Sequence, residues 1–183
     1  MSEAPPSMQD RLNAALQGVD SNEYGPSYRD HSLQIYKIYL EMADRISGRR
    51  EKANTFFLAV NTALIALLAK GVFGGSAATP RAIELLVPVA AGVLCYLWYR
   101  IIRSYRDLNS AKFKVIHAME RQLPLCPYDA EWECVDRGKN PKLYLPFTHV
   151  EGVVPWLFMM FHALYAASTL PWATIWTALR GAG

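Results

Sequence analysis

The sequence is poor in charged residues, and this scarcity excludes several classes of protein. Charged residues make up 19% and hydrophobic residues 52% of the 183 residues, against about 25% charged residues in soluble proteins. The chain is therefore neither disordered nor an ordinary soluble domain. The net charge of +3 is too small for a polyanion-binding tail, so we expect no nucleic acid among the partners. Three cysteines without framework spacing do not make a disulfide-stapled mini-protein.

The sequence also lacks the motifs of common enzymes and cofactor sites. It contains no Walker loop and no GxGxxG, GxSxG or HExxH sequence. A zinc set of Cys126, Cys134, His117 and His149 would have distant spacings, unlike the tight ligand pairs of structural zinc sites. We therefore expect no enzyme, no catalytic residue, no metal and no cofactor. The first 17 residues have no apolar core, so we expect no cleavable signal peptide.

Hydrophobic residues are concentrated in three segments of bilayer length. Residues 53–73 carry Lys70 as their one charge, and residues 82–102 carry Glu84 at the entrance and Arg100 near the exit. Residues 152–179 have no formal charge. A helix crosses the hydrocarbon core with about 20 apolar residues. We therefore predict three membrane spans; the alternative is a two-span hairpin with residues 153–179 lying on the membrane.

The remaining residues have helical patterns and irregular stretches. One amphipathic stripe precedes the first span, and a second follows the second span. The first is Leu33, Tyr36, Leu40 and Ala43; the second is Leu108, Ala111, Val115 and Ala118. Tyr96, Trp98 and Tyr99 are predicted to form an interfacial belt, and residues 126–146 an irregular loop. The predicted segments are a flexible tail with one short helix (1–27), a cytoplasmic amphipathic helix (28–52), TM1 (53–73), TM2 (82–102), a cytoplasmic helix and loop (103–151) and TM3 (152–179).

Basic residues near the membrane ends predict the topology. Lys and Arg residues lie before the first span and after the second, whereas the connector between those spans has few. The positive-inside rule then places the N-terminus and residues 103–151 in the cytoplasm and the C-terminus in the periplasm. We expect the basic groups to contact anionic lipid head groups. They are Arg45, Arg49, Arg50, Lys52, Arg100, Arg103 and Arg106.

Polar residues inside the spans are the candidate site. Asn54 and Asn61 are seven residues apart, so they lie on one face of the first span, with Thr62 beside them. A buried amide in lipid needs a partner, which is usually another helix. We therefore predict that these residues and Glu84 serve helix or oligomer packing, and the alternative is a polar lining for a water or ion path.

Three strings resemble a known family. They are YKIYLEMADRISGRREKANTFFLAVNTALIALLA, RSYRDLNSAKFKVIHAMERQLPLCPYDAEW and LYLPFTHVEGVVP, and together they resemble the small bacterial RipA-family membrane proteins. The resemblance implies an octameric inner-membrane homo-oligomer with a cytoplasmic domain, and it assigns no catalytic residue. The same order of amphipathic and apolar segments is similar to two-span effector modules of antiphage systems. Those modules have two spans, so the third apolar segment of this chain departs from their architecture.

These patterns lead to one functional hypothesis and two alternatives. We predict an all-α integral membrane protein with three spans and cytoplasmic helical extensions, a homo-oligomeric scaffold that supports envelope homeostasis or adaptation. The first alternative is an oligomeric channel or pore-forming effector with Asn54, Asn61 or Glu84 facing a water-filled axis. The second is a membrane enzyme whose cytosolic pocket contains His117, Glu131 or His149.

Overall fold

The computed structural model describes residues 6–73, 81–144 and 147–181, and within these ranges the chain is helical, without strands. The helices are α1 (Met8–Leu16), α2 (Ser21–Tyr24), α3 (Tyr28–Phe73), α4 (Arg81–Glu120), α5 (Pro127–Cys134), a 3-10 turn (Asp136–Gly138), α6 (Phe147–Thr169) and α7 (Trp172–Gly181). Three of them, α3, α4 and α6, are long and apolar enough to cross a membrane. The predicted all-α membrane fold is confirmed.

The two longest helices each contain more residues than one membrane crossing needs. Helix α3 has 46 residues and α4 has 40, about twice the number required to cross the hydrocarbon core. The predicted amphipathic helix and TM1 are therefore one continuous helix. Gly48 lies inside α3 without ending it.

The chain divides into two compact units. One contains Met1–Arg50 and Ser104–Pro146, and we call it the polar unit. The other contains Glu51–Arg103 and Phe147–Gly183, and we call it the span unit because the three predicted spans lie in it.

The core of the polar unit contains buried Tyr36, Ala43 and Ile116. The stripe predicted on α3 therefore supplies part of this core, although its first member, Leu33, is exposed. Of the stripe predicted on α4, Ala118 is buried within the chain, whereas Leu108 and Ala111 are exposed.

The buried face of α4 instead contains Lys112, Ile116 and Glu120, one turn apart from each other. Lys112 is accommodated because its ammonium group lies 4.3 Å from the centre of the Tyr39 ring. Two charged residues thus occupy core positions that a hydrophobicity pattern assigns to the surface.

The core of the span unit contains Phe57, Trp98 and Ile102. Trp98 stacks on Phe57 with ring centroids 5.9 Å apart and is 2% exposed. Its predicted place in an interfacial belt is therefore wrong, whereas its neighbour Tyr96 is exposed. The indole of Trp98 is buried because its N–H has a hydrogen-bond partner inside the unit.

Two further boundaries differ from the prediction. Helix α6 begins at Phe147 and ends at Thr169, and α7 begins at Trp172, so the segment 152–179 contains two helices. Pro171 separates them because proline lacks the N–H group that a continuing helix needs. The loop predicted over 126–146 contains α5, which has Pro127 in its first turn.

Candidate functional site

The first candidate site is a buried polar network in the span unit, centred on Asn61. Its side chain has no exposed surface. Oδ1 accepts a hydrogen bond of 3.1 Å from Cys95 Sγ of α4 and lies 3.3 Å from His162 Nε2 of α6. Nδ2 donates to the carbonyl oxygen of Phe57, at 2.9 Å. One amide therefore connects three helices of the span unit.

Asn54 makes the same kind of connection two turns away. Its Oδ1 accepts a hydrogen bond of 2.9 Å from Trp98 Nε1, and its Nδ2 donates one of 2.9 Å to Glu151 Oε1. As with Asn61, the partners belong to α4 and α6. The seven-residue spacing thus places both amides on the face of α3 that meets the other two helices.

The imidazole ring of His162 uses only one of its two nitrogens in this network. Its side chain is 1% exposed. Since Asn61 Oδ1 is an acceptor, Nε2 is the nitrogen that donates. Nδ1 is buried and has no hydrogen-bond partner among the described residues. Within the described residues, Cys95 and His162 are both hydrogen-bonded to Asn61.

The other candidate residues are not part of this network. Thr62 is exposed, and Glu84 is half-buried near the start of α4, where no described side chain pairs with it. Of the basic residues, Arg45 pairs with Glu41 at 2.7 Å and Arg106 with Asp107 at 3.1 Å. Arg100 and Arg103 each donate to a tyrosine hydroxyl one turn before them, at 3.3 Å.

The second candidate site lies in the polar unit and is organised by Glu120. This carboxylate is fully buried at the end of α4. It accepts hydrogen bonds from the Tyr36 hydroxyl at 3.1 Å and from the backbone N–H groups of Tyr128 and Asp129 at 3.0 and 3.3 Å. Glu120 therefore caps the N-terminus of α5 from outside that helix.

Tyr36 and His117 both lie close to the carboxylate of Glu120. Burial, and next the hydrogen bond to Glu120 and its charge, raise the pKa of Tyr36 from 10.0 to about 12. His117 Nδ1 lies 3.5 Å from Glu120 Oε2 and 3.9 Å from Asp129 Oδ1, at ion-pair distance when the imidazole is protonated. It makes no hydrogen bond with a described residue.

A cleft of about 180 Å³ lies beside His117 and Asp129, two neighbours of this carboxylate. One wall is a face of α4, because Lys114, His117 and Arg121 are spaced i, i+3 and i+7. The complete lining is Gln9, Lys114, His117, Arg121, Asp129, Trp132 and Arg137. Cations therefore outnumber carboxylates in the cleft.

A left-handed turn supplies Arg137 to the lining of the cleft and packs against Trp132. Asp136, Arg137 and Gly138 have φ angles of 52°, 49° and 70°. A Cβ on Gly138 would lie 3.2 Å from the Trp132 ring, so glycine lets the turn pack closely on the indole. Arg137 contacts Glu133 and lies 3.4 Å from Asp129. The hydrogen bond to Glu133 raises the pKa of Arg137.

Sequence reasoning named only part of this cleft. Of the three residues predicted for an enzyme pocket, His117 lines the cleft, Glu131 is exposed on α5, and the side chain of His149 lies outside the described residues. Arg121, Trp132 and Arg137 were missed as site residues. The i, i+3, i+7 spacing of basic residues on α4 was a usable signal. No group of three metal-ligating side chains occurs among the described residues.

Comparison with known proteins gives one family. A sequence model described as the octameric membrane protein family matches residues 33–171, which is more than half of the chain. No curated protein and no solved structure matches the chain. The match agrees with the resemblance to the octameric RipA-family proteins, and it confirms the expectation of an oligomeric membrane protein. The chain belongs to the octameric membrane protein family.

Proposed function

We propose that the protein is the subunit of an octameric scaffold in the bacterial inner membrane, where it supports envelope homeostasis and does not conduct ions. One observation carries the proposal: the polar side chains in the core of the span unit bind each other. Asn61 is fully buried within its own chain, and its carbonyl oxygen is shared by Cys95 and His162. An amide engaged in this way is unavailable to line a water-filled axis between subunits.

The outer surface of the span unit supports the same proposal. Its exposed large side chains are predominantly aliphatic and aromatic. Surfaces of this kind contact lipid chains or the equivalent surface of a neighbouring subunit, whereas a conducting axis is lined by polar groups. The exposed apolar residues of the spans include Phe56, Leu58, Leu67, Leu86, Val89, Val93, Leu97, Val153, Leu157, Phe161 and Leu164.

The proposal includes an orientation and lipid partners. The basic residues that flank the predicted spans favour a cytoplasmic polar unit and contact with anionic head groups. Arg49 and Lys52 are exposed near the end of the polar part of α3, as such contacts require. The proposal includes neither nucleic acid nor catalytic activity.

The channel alternative predicts a different behaviour in lipid vesicles. We would reconstitute the octamer into vesicles of phosphatidylethanolamine and phosphatidylglycerol and measure potassium flux with a potential-sensitive dye. The scaffold hypothesis expects no more flux than in protein-free vesicles, with gramicidin as the positive control. Flux that falls in Glu84→Gln or Thr62→Ala would contradict the scaffold and establish the channel.

The same preparation can show how many subunits the oligomer has and whether its central axis is open, closed or filled by lipid. Native mass spectrometry should give eight copies, and a cryo-EM map in nanodiscs should show an axis that is closed or filled by lipid. Deletion of the gene should sensitise the host to envelope stress such as detergent, and the intact gene should restore tolerance. A monomer in nanodiscs, or a deletion strain with unchanged tolerance, would contradict the scaffold.

A further inference from the structure

We propose that the cleft of the polar unit binds the phosphate group of a small phosphorylated ligand, with Lys114 and Arg121 as its two principal contacts. The proposal does not depend on the scaffold function, because it concerns the charges and shape of the polar unit alone. Its first support is the charge balance of the cleft.

The cations of the cleft differ in whether the protein already compensates them. The guanidinium group of Arg137 is held by Glu133 and Asp129. The side chains of Lys114 and Arg121, by contrast, are exposed and form neither an ion pair nor a hydrogen bond with any described residue. The two uncompensated cations therefore belong to one wall of one cleft.

A phosphate monoester matches this arrangement better than a carboxylate. It carries about −1.5 to −2 charges at neutral pH, enough to balance both cations. Lys114 and Arg121 are two helical turns apart, about 10.5 Å along the axis, so their long side chains approach a bound group from its two sides. Arginine binds phosphate through two parallel N–H donors, and lysine binds it as a point charge.

The other lining residues suit the remainder of a small ester. Trp132 offers an aromatic wall that is held in place by Gly138 and by an edge contact of 5.9 Å with Tyr144. Gln9 supplies a neutral amide, and the Asp129 carboxylate is an acceptor for a ligand hydroxyl. The volume of about 180 Å³ is below the 300–1,000 Å³ or so of sites for drug-sized ligands. The fit is therefore to a compact phosphorylated polyol or a lipid phosphate, not to a dinucleotide.

The experiment follows Trp132 in the full-length protein. The protein would be labelled with 5-fluorotryptophan in phosphatidylcholine nanodiscs, and the Trp132 resonance, one of five, assigned with Trp132→Phe. Titration with inorganic phosphate and then with glycerol 3-phosphate should shift this resonance saturably. The same titration with sodium chloride at equal ionic strength should not.

Variants decide whether the cleft is responsible. Lys114→Gln and Arg121→Gln should each weaken binding about tenfold, the effect of losing one charge-assisted contact. Arg121→Lys should lose less, because it keeps the charge. Lys37→Gln and Arg29→Gln remove an exposed positive charge elsewhere in the polar unit, and they should bind like the unchanged protein. The other four tryptophan resonances report that each variant remains folded.

A further titration with lipid distinguishes a lipid phosphate from a soluble phosphate ester as the ligand. If nanodiscs containing phosphatidic acid shift the Trp132 resonance and glycerol 3-phosphate competes with that shift, the site takes the phosphate of a lipid as well as a soluble ester. The proposal is overturned if neither ligand shifts the Trp132 resonance at concentrations up to about 10 mM, because a site with a millimolar Kd would be largely occupied at that concentration. It is also overturned if Lys114→Gln and Arg121→Gln bind as well as Lys37→Gln and Arg29→Gln.

Discussion

The hydroxyl group of Tyr36 donates a hydrogen bond of 3.1 Å to Oε1 of Glu120, 84 residues further along the chain. The same oxygen accepts the N–H of Tyr128 at 3.0 Å. A single buried carboxylate therefore joins α3, the end of α4 and the start of α5. Because α5 carries Asp129 and Trp132, Glu120 also fixes one wall of the cleft.

Replacing Glu120 with alanine should destabilise the polar unit. The change leaves the Tyr36 hydroxyl and the N–H groups of Tyr128 and Asp129 without their acceptor. Each buried donor that loses its partner costs about 1–3 kcal/mol, so for three donors we expect a loss of at least about 3 kcal/mol. Hydrogen exchange of α5 should become much faster, whereas Glu131→Ala, an exposed change on the same helix, should leave it slow. Unchanged exchange in Glu120→Ala would contradict the assigned role.

The pKa of Tyr36 predicts a loss of stability in strong alkali. Its pKa is raised from 10.0 in the unfolded chain to about 12 in the folded protein, first by burial and then by Glu120. A raised pKa favours the protonated phenol, so this stabilisation is complete below pH 10 and is lost as pH rises towards 12. Chemical denaturation at pH 9 to 12 should show this decline, and Tyr36→Phe should show a smaller one. Equal slopes in the two proteins would exclude Tyr36 as the source.

Substitution of Asn61 by leucine should weaken the span unit without opening an ion path. Cys95 Sγ and His162 Nε2 would lose their shared acceptor. Hydrogen bonds between membrane helices contribute about 0.6 kcal/mol on average, so we expect a loss of about 1–2 kcal/mol. Thermal unfolding in detergent gives the stability, and vesicle flux gives the conductance. Thr62→Val, at the exposed neighbouring position, should change neither, and a changed flux in a correctly assembled Asn61→Leu protein would favour the channel.

The turn beside Trp132 should not tolerate a side chain. Gly138 has a φ of 70°, and a Cβ there would lie 3.2 Å from the indole. We expect Gly138→Ala to cost about 1–2 kcal/mol and to move the fluorine resonance of labelled Trp132. The matched control is Gly48→Ala inside α3, where a Cβ meets nothing within 4 Å; there alanine should be neutral or stabilise by up to about 1 kcal/mol. If both variants unfold alike, the close packing of Trp132 against the turn is unimportant.

Much of the architecture follows from the order of the residues. Apolar runs of bilayer length predict α3, α4 and α6 as spans, since the bilayer admits only segments whose backbone groups bond internally. The spacing of Asn54 and Asn61 predicts one shared helix face, because seven residues complete two turns. Both predictions depend on local patterns that can be recognised within one segment of the sequence, without knowledge of its tertiary contacts.

The remaining features depend on partners that are distant in the chain. Hydropathy assigns Lys112 and Glu120 to solvent, yet Tyr39 and Tyr36 make their burial favourable. Tryptophan is a residue type typical of the membrane interface, yet Trp98 is buried, because Asn54 accepts a hydrogen bond from its N–H group. The cleft likewise combines α4 with a turn near Gly138 that no periodic pattern marks. A buried polar group is stable only when it is satisfied, and the satisfying groups become neighbours only once the helices have packed.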